Sequence, residues 1–499
     1  MLKRLSFLCK NISPCRIDWG ALDHTASHLD PWISGICADS KQVQPGDLFI
    51  ARRGGTFDGA VFAKEAMQAG ATAIATETYL PECSAIPQLI LSDMAFVEAK
   101  LAAHYYEHPD RELFLIGVTG TNGKTTVSWI LYQLLSQLLG KTGWIGTIEY
   151  RIGDAVIPAT RTTPGAAETQ RLLRKMRQSG CSSAVMEVTS HALDQGRVYQ
   201  IEFDMCLFTN LSQDHLDYHK SMEIYCKAKN RLFLQLNDCQ KSTPKWAIAN
   251  RDCPWYPQVL QGCTAPRLTY GVNQASDLCA TDLCFTATHT SCNLSFQKKT
   301  PIPITLPLLG KYNLYNVLGA IACMLAKGFT LEQIRPLLLT ITPPKGRLEP
   351  VYNTKGLSIF VDFAHTGDGL QQVLSTLKEI CKGRLIVVFG CGGDRDKNRR
   401  STMGQAASHL ADYAILTADN PRSEDPVAIC QEIALAFSSS NYTIEPERRR
   451  AIQCALQMAK PSDLVLIAGK GHEKVQIQGQ EIRPFDDALI AAEICQTLP

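Results

Sequence analysis

The strongest constraint on how this chain can fold lies at residues 113–126. Leu113-Phe114-Leu115-Ile116-Gly117-Val118 is an apolar run with the character of a buried strand. Thr119-Gly120-Thr121-Asn122-Gly123-Lys124-Thr125-Thr126 is a glycine loop, and Val127 to Leu139 is long and apolar enough to be the next helix. A strand, a tight turn and a helix N-terminus gather backbone N–H groups around one point, with the positive end of the helix dipole behind them. That is an anion cradle. Lys124 is placed to reach the outer phosphates of a nucleotide, and the Thr125 hydroxyl to face Mg²⁺. The usual phosphate loop has a glycine five residues before its Gly-Lys pair. Val118 stands there instead, so the loop is the tighter form Gly120, Thr121, Asn122, Gly123, Lys124, Thr125, Thr126. An ATP site in an α/β sheet is predicted.

With 499 residues the chain exceeds what one core can organise, and about three domains are expected. A hydrophobic content of 45%, a charged content of 20% and a net charge of +2 are those of an ordinary globular protein, with nothing to favour nucleic acid as a partner. No apolar run approaches the roughly 18 residues of a membrane helix. The basic start is followed by an apolar run that Lys10 and Asn11 interrupt, so a signal peptide is not expected. The 19 cysteines are odd in number, and no two have C-x-x-C spacing. Reduced thiols in a cytoplasm fit better than a disulfide framework or a zinc site.

Polar residues follow apolar runs throughout. Ser183–Val188 contains Glu187 and leads into Thr189-Ser190-His191; Met205–Thr209 leads into Asp214-His215; Trp246–Ala249 leads into Asn250-Arg251-Asp252. Ligands of open parallel sheets bind beyond the carboxyl ends of strands, so these loops predict one site. Glu187 and His215 are suited to a divalent ion that also touches ATP. Thr160–Pro164 reads equally as a helix cap or a substrate contact. Lys229, within the helical stretch Tyr225–Phe233, reads from spacing alone as part of a solvated basic face. Asn313 and Asn316, one helical turn apart, can read an adenine edge or cap a helix.

After the Pro/Gly break at Thr342–Arg347 a second strand series begins. Ser358–Val361 ends in Asp362-Phe363-Ala364-His365, Leu385–Phe389 in a loop with Arg395, Tyr413–Leu416 in Asp419-Asn420-Pro421-Arg422, and Leu464–Ile467 in Gly469-Lys470-Gly471-His472-Glu473. Arginines suit forked recognition of carboxylates, and Glu473 can accept from an ammonium group. The N-terminal stretch carries two polar loops, at Asp39–Gly46 and Gly54–Gly59, which by themselves say little.

The segments GTNGKTT, EVTSHAL (Glu187–Leu193), DHLDYH (Asp214–His219), YNLYN (Tyr312–Asn316), GRLE (Gly346–Glu349), DFAHT (Asp362–Thr366), GCGGDRDK, DNPR and GKGHE resemble the Mur ligase family of peptidoglycan synthesis over essentially the whole length. The last three resemble the member that adds the third residue of the stem peptide. The resemblance implies a small N-terminal α/β UDP-sugar domain (1–110), a central P-loop parallel-sheet ATPase domain (111–341) and a C-terminal Rossmann-like amino-acid domain (342–499). It implies a monomeric, cytoplasmic, ADP-forming ligase. The ligase would join meso-diaminopimelate to UDP-N-acetylmuramoyl-L-alanyl-D-glutamate through an acyl phosphate.

Residue by residue, it places Ser40, Gly55, Thr56 and Phe57 near the UDP-sugar. Thr162, Thr163, Thr189, Gln195 and Arg197 match contacts to the muramoyl-dipeptide. Asn313, Asn316, Arg347, Asp362 and His365 join the ATP site, and Arg395, Asp419, Asn420, Pro421, Arg422, Gly469 and Glu473 match contacts to the amino acid. Lys229 matches a lysine that carries CO₂ as a carbamate (N6-carboxylysine) beside Mg²⁺, with Thr125, Glu187 and His215 as the other metal-site residues. Lys124, Lys229 and His215 are the catalytic set. Lys41, Thr189 and Gly367 stand where arginine, serine and proline are usual in the family. Folylpolyglutamate synthetases share the phosphate loop but have no need of the DNPR and GKGHE loops. A nucleotide-dependent binding protein would have no need of Lys124, Glu187 and His215.

Overall fold

The computed structural model describes residues 2–10, 12, 16–19, 30–53 and 58–498. The chain divides into two compact units, Met1–Leu278 with Gly319–Phe329, and Cys279–Leu318 with Thr330–Pro499.

Beside the short antiparallel ladder Lys3–Arg4/Trp32–Ile33, two larger sheets are described in the first unit. The smaller one runs in the order Arg16–Asp18, Gln88–Ile90, Ala73–Thr76, Asp47–Ile50, Gly35–Cys37. It is parallel except at its Arg16–Asp18 edge. Leu48, Ile50, Ala73 and Leu89 pack with Val97, Leu101 and Tyr105 of the helix Met94–Tyr106. Within the other sheet, the strand Phe114–Thr119 lies between Ser183–Glu187 and Met205–Phe208, parallel to both. Trp246–Asn250 and Arg267–Gly271 extend it in parallel on one side. Thr142–Ile145 and the antiparallel hairpin Glu149–Ile152/Ala155–Pro158 extend it on the other. These parallel strands read as unbroken apolar runs because both of their faces are buried. The register sets Glu187 beside Val118 and Phe208 beside Thr119, so all three strands end level and their polar loops share one edge.

The helix after the phosphate loop spans Lys124–Leu139, three residues longer at its start than the apolar run from Val127. Gly123, at φ +86°, stands at its N-cap, a left-handed conformation glycine adopts at no steric cost. Lys124, Thr125 and Thr126 therefore form its first turn.

In the second unit the strands follow the order Glu349–Pro350, Ser358–Asp362, Leu464–Ala468, Leu385–Phe389, Tyr413–Leu416, Tyr442–Ile444. All but the first are parallel. One core packs Leu374, Leu377, Met403 and Ile433 against the sheet, and a separate one packs Ile452, Leu456 and Ile490, so the sheet is doubly wound. The strands Leu278–Phe285, Thr290–Phe296 and Ile302–Leu306, the last two antiparallel, were not foreseen from the sequence. Their signal was the alternate burial of Thr290, Cys292 and Leu294, a period of two that is weak because the buried set includes a threonine and a cysteine.

Candidate functional site

The phosphate loop is shaped by neighbours on the adjoining strand end. Thr209 Oγ1 donates to the Asn122 carbonyl at 2.6 Å, and Asn122 N–H donates to Asn210 Oδ1 at 3.0 Å. Gly120 has φ +151°, and a Cβ there would lie 1.9 Å from Thr209 Oγ1, so the position excludes any side chain. Thr121 Oγ1 lies 3.1 Å from the Tyr225 hydroxyl. Lys124 curls back over the loop, its Nζ donating to the carbonyls of Gly120 and Thr121 at 2.8 Å each.

Lys229 departs from the solvated face that spacing predicted. It is 1% exposed, its Nζ donates to the Gly120 carbonyl at 2.8 Å, and it lies 4.5 Å from the centre of the Tyr225 ring. Two lysine ammonium positions thus meet at one carbonyl oxygen. Burial, and then the charge of Lys124, hold the Lys229 pKa well below that of an ordinary lysine. The product is a buried amine disposed to be neutral.

Glu187 is fully buried at its strand end. Oε1 accepts from Thr147 N–H at 2.8 Å, and Oε2 accepts from the hydroxyls of Thr125 at 2.9 Å and Thr147 at 3.0 Å. Burial raises its pKa, opposed by the Thr147 backbone bond, the Lys124 charge and the Thr125 hydroxyl. His215 has φ +53°, and its ring packs edge-on against His191 at 4.8 Å. Burial lowers its pKa against the pull of Asp214, and Lys124 and Lys229 lower it further, which favours a neutral imidazole. Among the described residues no trio of His, Cys, Asp or Glu surrounds a single point. Mg²⁺ needs no such cage, because it takes one or two protein ligands and fills its shell with water and phosphate oxygens. A hydroxyl and a carboxylate in contact, Thr125 and Glu187, fit that demand.

The predicted dipeptide contacts gather around the same strand end. Thr163 Oγ1 donates to the Glu187 carbonyl at 2.9 Å and accepts from Thr189 N–H at 3.1 Å. Thr162 Oγ1 lies 3.2 Å from Thr147 Oγ1. Arg197 Nη1 donates to the Thr163 carbonyl at 3.0 Å, while its Nε and Nη2 donate to Gln195 Oε1. Ser40 is separate from this group and donates to Glu65 at 3.0 Å. Gly55, Thr56 and Phe57 lie outside the described residues. A cavity of 640 Å³ touching Phe96, Tyr199, Arg111 and Arg231 contains none of the predicted residues.

Within the second unit, Arg395, Asp419, Asn420, Arg422, Gly469 and Glu473 all line one cavity of 320 Å³, which His365 also reaches. Pro421 is buried beside it, its carbonyl oxygen only 1.9 Å from where a Cβ on Gly393 would stand. Arg422, at φ +52°, donates from Nη1 to the Gly393 carbonyl at 2.7 Å, and Glu424 is taken by Arg400. Asn420 Nδ2 donates to Glu473 Oε2 at 2.8 Å. Burial raises the Asp419 pKa against the charges of Arg448 and Lys470. Asp362 is buried and accepts from the N–H groups of Leu348 and Ala364, while the Arg347 guanidinium lies over the Phe363 ring at 4.8 Å. At the start of the helix Lys311–Lys327, Asn313 Nδ2 donates to the Leu309 carbonyl, and Asn316 Nδ2 donates to Asn313 Oδ1.

Three contributors escaped the sequence reading. Thr147, which holds both Glu187 oxygens, follows the strand Thr142–Ile145 and was findable by the same strand-end rule. Lys470 is fully buried and donates to Asn420 and Glu473, inside a motif already singled out. Tyr225 left no signal beyond its position one turn before Lys229.

Family models match three successive stretches: "Mur ligase family, catalytic domain" at residues 32–106, "Mur ligase middle domain" at 118–324 and "Mur ligase, glutamate ligase domain" at 346–471. A Bacillus cereus UDP-N-acetylmuramoyl-L-alanyl-D-glutamate–2,6-diaminopimelate ligase is 42% identical over 465 residues, 93% of this chain and 94% of its own. A solved structure of a ligase with that name is 30% identical, has a TM-score of 0.69 and covers 100% of this chain and 99% of its own. A Mycobacterium tuberculosis folylpolyglutamate synthase, solved with ADP and AMPPCP, shares the fold at 20% identity and a TM-score of 0.62. That match covers 75% of this chain and 92% of its own.

Proposed function

This chain belongs to the Mur ligase family, and from that membership we propose its reaction. The enzyme joins meso-diaminopimelate to the side-chain carboxylate of the D-glutamyl residue of UDP-N-acetylmuramoyl-L-alanyl-D-glutamate, converting ATP to ADP and phosphate. The step belongs to peptidoglycan precursor synthesis. The observation that carries the choice of amino acid is the 320 Å³ cavity, which offers arginines and carboxylates together and so suits a zwitterion with a further charged end.

A carboxylate is a poor electrophile toward an amine, so it must first be phosphorylated. The glutamyl carboxylate attacks the γ-phosphorus of ATP, ADP leaves, and an acyl phosphate remains. The amine of diaminopimelate then adds to the acyl carbon, and phosphate leaves from the tetrahedral intermediate as the nitrogen loses its proton. Lys124, released from its loop carbonyls, neutralises charge on the transferring phosphoryl group. The threonine and arginine cluster at the end of the Glu187 strand holds the dipeptide. Asn420, Arg422 and Glu473 orient the amino acid.

Thr125 and Glu187, with His215, would hold Mg²⁺, which would supply charge neutralisation at the phosphate oxygens. The neutral amine of Lys229 adds to CO₂ and loses a proton, so a buried neutral amine becomes a carbamate anion that would face the metal ion. Three domains, 1–110, 111–341 and 342–499, carry the UDP-sugar, ATP and amino-acid functions. The proposed enzyme works as a monomer in the cytoplasm. Among the described residues no helix is long and apolar enough to cross a membrane.

The test is phosphate release and product formation with the UDP-muramoyl-dipeptide, ATP and Mg²⁺ across a panel of amino acids. Turnover specific to meso-diaminopimelate is expected. Equal turnover with lysine, or none with any of them, would overturn the assignment.

A further inference from the structure

Among the cavity residues, Asn420 and Arg422 sit on one loop and Gly469 and Glu473 on another. Their strands, Tyr413–Leu416 and Leu464–Ala468, are not neighbours, because Leu385–Phe389 lies between them. No ladder hydrogen bond can join strands two spacings apart, roughly 10 Å in a regular sheet. Beyond the strands the two loops are joined directly, Arg422 N–H donating to the Ile477 carbonyl at 3.0 Å and Ile477 N–H to Asn420 Oδ1 at 3.0 Å; at their bases, next to the strand ends, the tie is a side chain.

Arg448 occupies that position. Its side chain and that of Asp487 are both 0% exposed. Nη1 donates to the carbonyl of Ala418, immediately before Asp419, at 3.3 Å, and Nη2 donates to the carbonyl of Ala468, immediately before Gly469, at 2.9 Å. Asp487 grips the same guanidinium from behind, accepting from Nε at 2.8 Å and from Nη2 at 2.8 Å. One rigid planar group thus ties the last carbonyl before each loop to a fixed carboxylate. The loops abut at this base: a Cβ on Gly469 would lie 2.6 Å from Asp419 Oδ2. Farther out, Lys470 reaches Asn420 and Glu473, so the linkage continues to the rim of the cavity.

A buried ion pair adds little net stability over apolar side chains of the same volume, so its value lies in the geometry it imposes. Lysine could not replace the arginine, since it lacks the fork that addresses two carbonyls and a carboxylate at once. The two arginines that follow differ in kind: Arg449 and Arg450 are exposed, paired with Glu493 and Glu447.

We infer that Arg448, locked by Asp487, is a positioning residue for amino-acid selection: it sets the spacing of the loop bearing Asn420 and Arg422 from the loop bearing Gly469 and Glu473. The inference rests on the reading of this cavity as the diaminopimelate site.

The test compares wild type with Arg448→Met/Asp487→Leu, which replaces the pair with apolar side chains, with Arg448→Lys, and with Arg422→Ala as a control on the cavity itself. KM for meso-diaminopimelate, ATP and the UDP-muramoyl-dipeptide, the kcat/KM ratio of meso-diaminopimelate to lysine, and thermal unfolding are measured on each. In both Arg448 variants KM for diaminopimelate should rise about tenfold or more, and its preference over lysine should narrow. KM for the other two substrates should stay within about twofold, because their contacts are untouched.

A folded double variant with unchanged KM for diaminopimelate would overturn the inference, as would a parallel change in all three KM values. If Arg422→Ala raises that KM while the Arg448 variants do not, only the positioning role fails. If Arg422→Ala leaves it unchanged, the cavity reading fails. Arg448→Lys carries the same criteria should the double variant not fold. Failure of both to fold would also overturn the inference, making the pair a determinant of the fold rather than of the loop spacing.

Discussion

Replacing Lys229 with methionine keeps an apolar stem as far as Cε and removes the amine beyond it. In stability terms the loss is one hydrogen bond to the Gly120 carbonyl, about 1 kcal/mol. That carbonyl keeps a partner in Lys124, so no buried acceptor is orphaned. The gain is removal of the penalty for burying an amine whose pKa is held down, about 1.4 kcal/mol for every pH unit of depression. Between the depressed folded value and the unfolded lysine value the unfolded chain binds more protons at this position than the folded one. Stability of the uncarboxylated enzyme therefore rises with pH across that window, and the methionine variant lacks the rise. One pH unit of depression already offsets the lost hydrogen bond. At pH 7 in CO₂-free buffer the variant should unfold no lower than wild type, while ligation falls about 10³-fold because no anion completes the metal site.

Phosphate release and thermal unfolding, measured on the same preparations, check both halves. Lys229→Glu should restore part of the activity by returning an anion. Added bicarbonate should activate wild type more at mildly alkaline than at mildly acid pH, since only the neutral amine adds CO₂, and should leave the methionine variant unchanged. A methionine variant with wild-type turnover would refute the reasoning, and so would inactivity matched by a collapsed unfolding temperature.

Lys124→Ala should abolish ligation in a protein that unfolds at the wild-type temperature, because the side chain acts on phosphate charge and contributes little packing; normal phosphate release from the folded variant would contradict this. Glu187→Gln should lose Mg²⁺-dependent turnover by about 10²-fold or more. Its folded-state pKa is raised, so wild type loses stability as pH rises from the unfolded glutamate value through the folded one, and the glutamine variant should show a flatter urea-stability profile between pH 4 and 8; an unchanged slope would count against the buried carboxylate. Wild type should prefer meso-diaminopimelate to lysine by about 10³-fold in kcat/KM, because lysine leaves the Arg422 guanidinium without a carboxylate. Arg422→Ala should reduce that ratio by at least tenfold, and an unchanged ratio would remove Arg422 from selection.

Much of the site was legible because phosphate loops and strand-end loops are local in sequence. Gly120–Thr126 announces a cradle whatever surrounds it, and the rule that ligands gather at the carboxyl ends of parallel strands predicted that Glu187 would stand at a strand end and that Asn420, Arg422 and Glu473 would converge. Strand limits at Leu385–Phe389 and Tyr413–Leu416 agree residue for residue with the apolar runs, since both faces of those strands are covered and the whole run must be apolar. The strand Thr290–Phe296 was hard to read because its buried alternate positions include Thr290 and Cys292, which blur the apolar alternation a half-exposed strand otherwise shows.

What the sequence determined alone is therefore chemistry that neighbours in the chain create together: the nucleotide cradle, the doubly wound sheets and the motifs that mark the family. What only the tertiary structure decided is the state of individual charges. Lys229 stands in a helical stretch that reads from spacing as a solvated basic face, and Arg448 opens a run of three arginines on which the sequence analysis is silent. The fold leaves Arg449 and Arg450 exposed and buries Lys229 and Arg448. The reason is geometric. Successive residues of a helix are about 100° apart around its axis, so a run of like charges always aims some members outward and others inward, and which ones turn inward depends on how the helix packs. Once inside, desolvation and the next charge decide protonation, and for Lys229 that next charge belongs to Lys124, more than a hundred residues away.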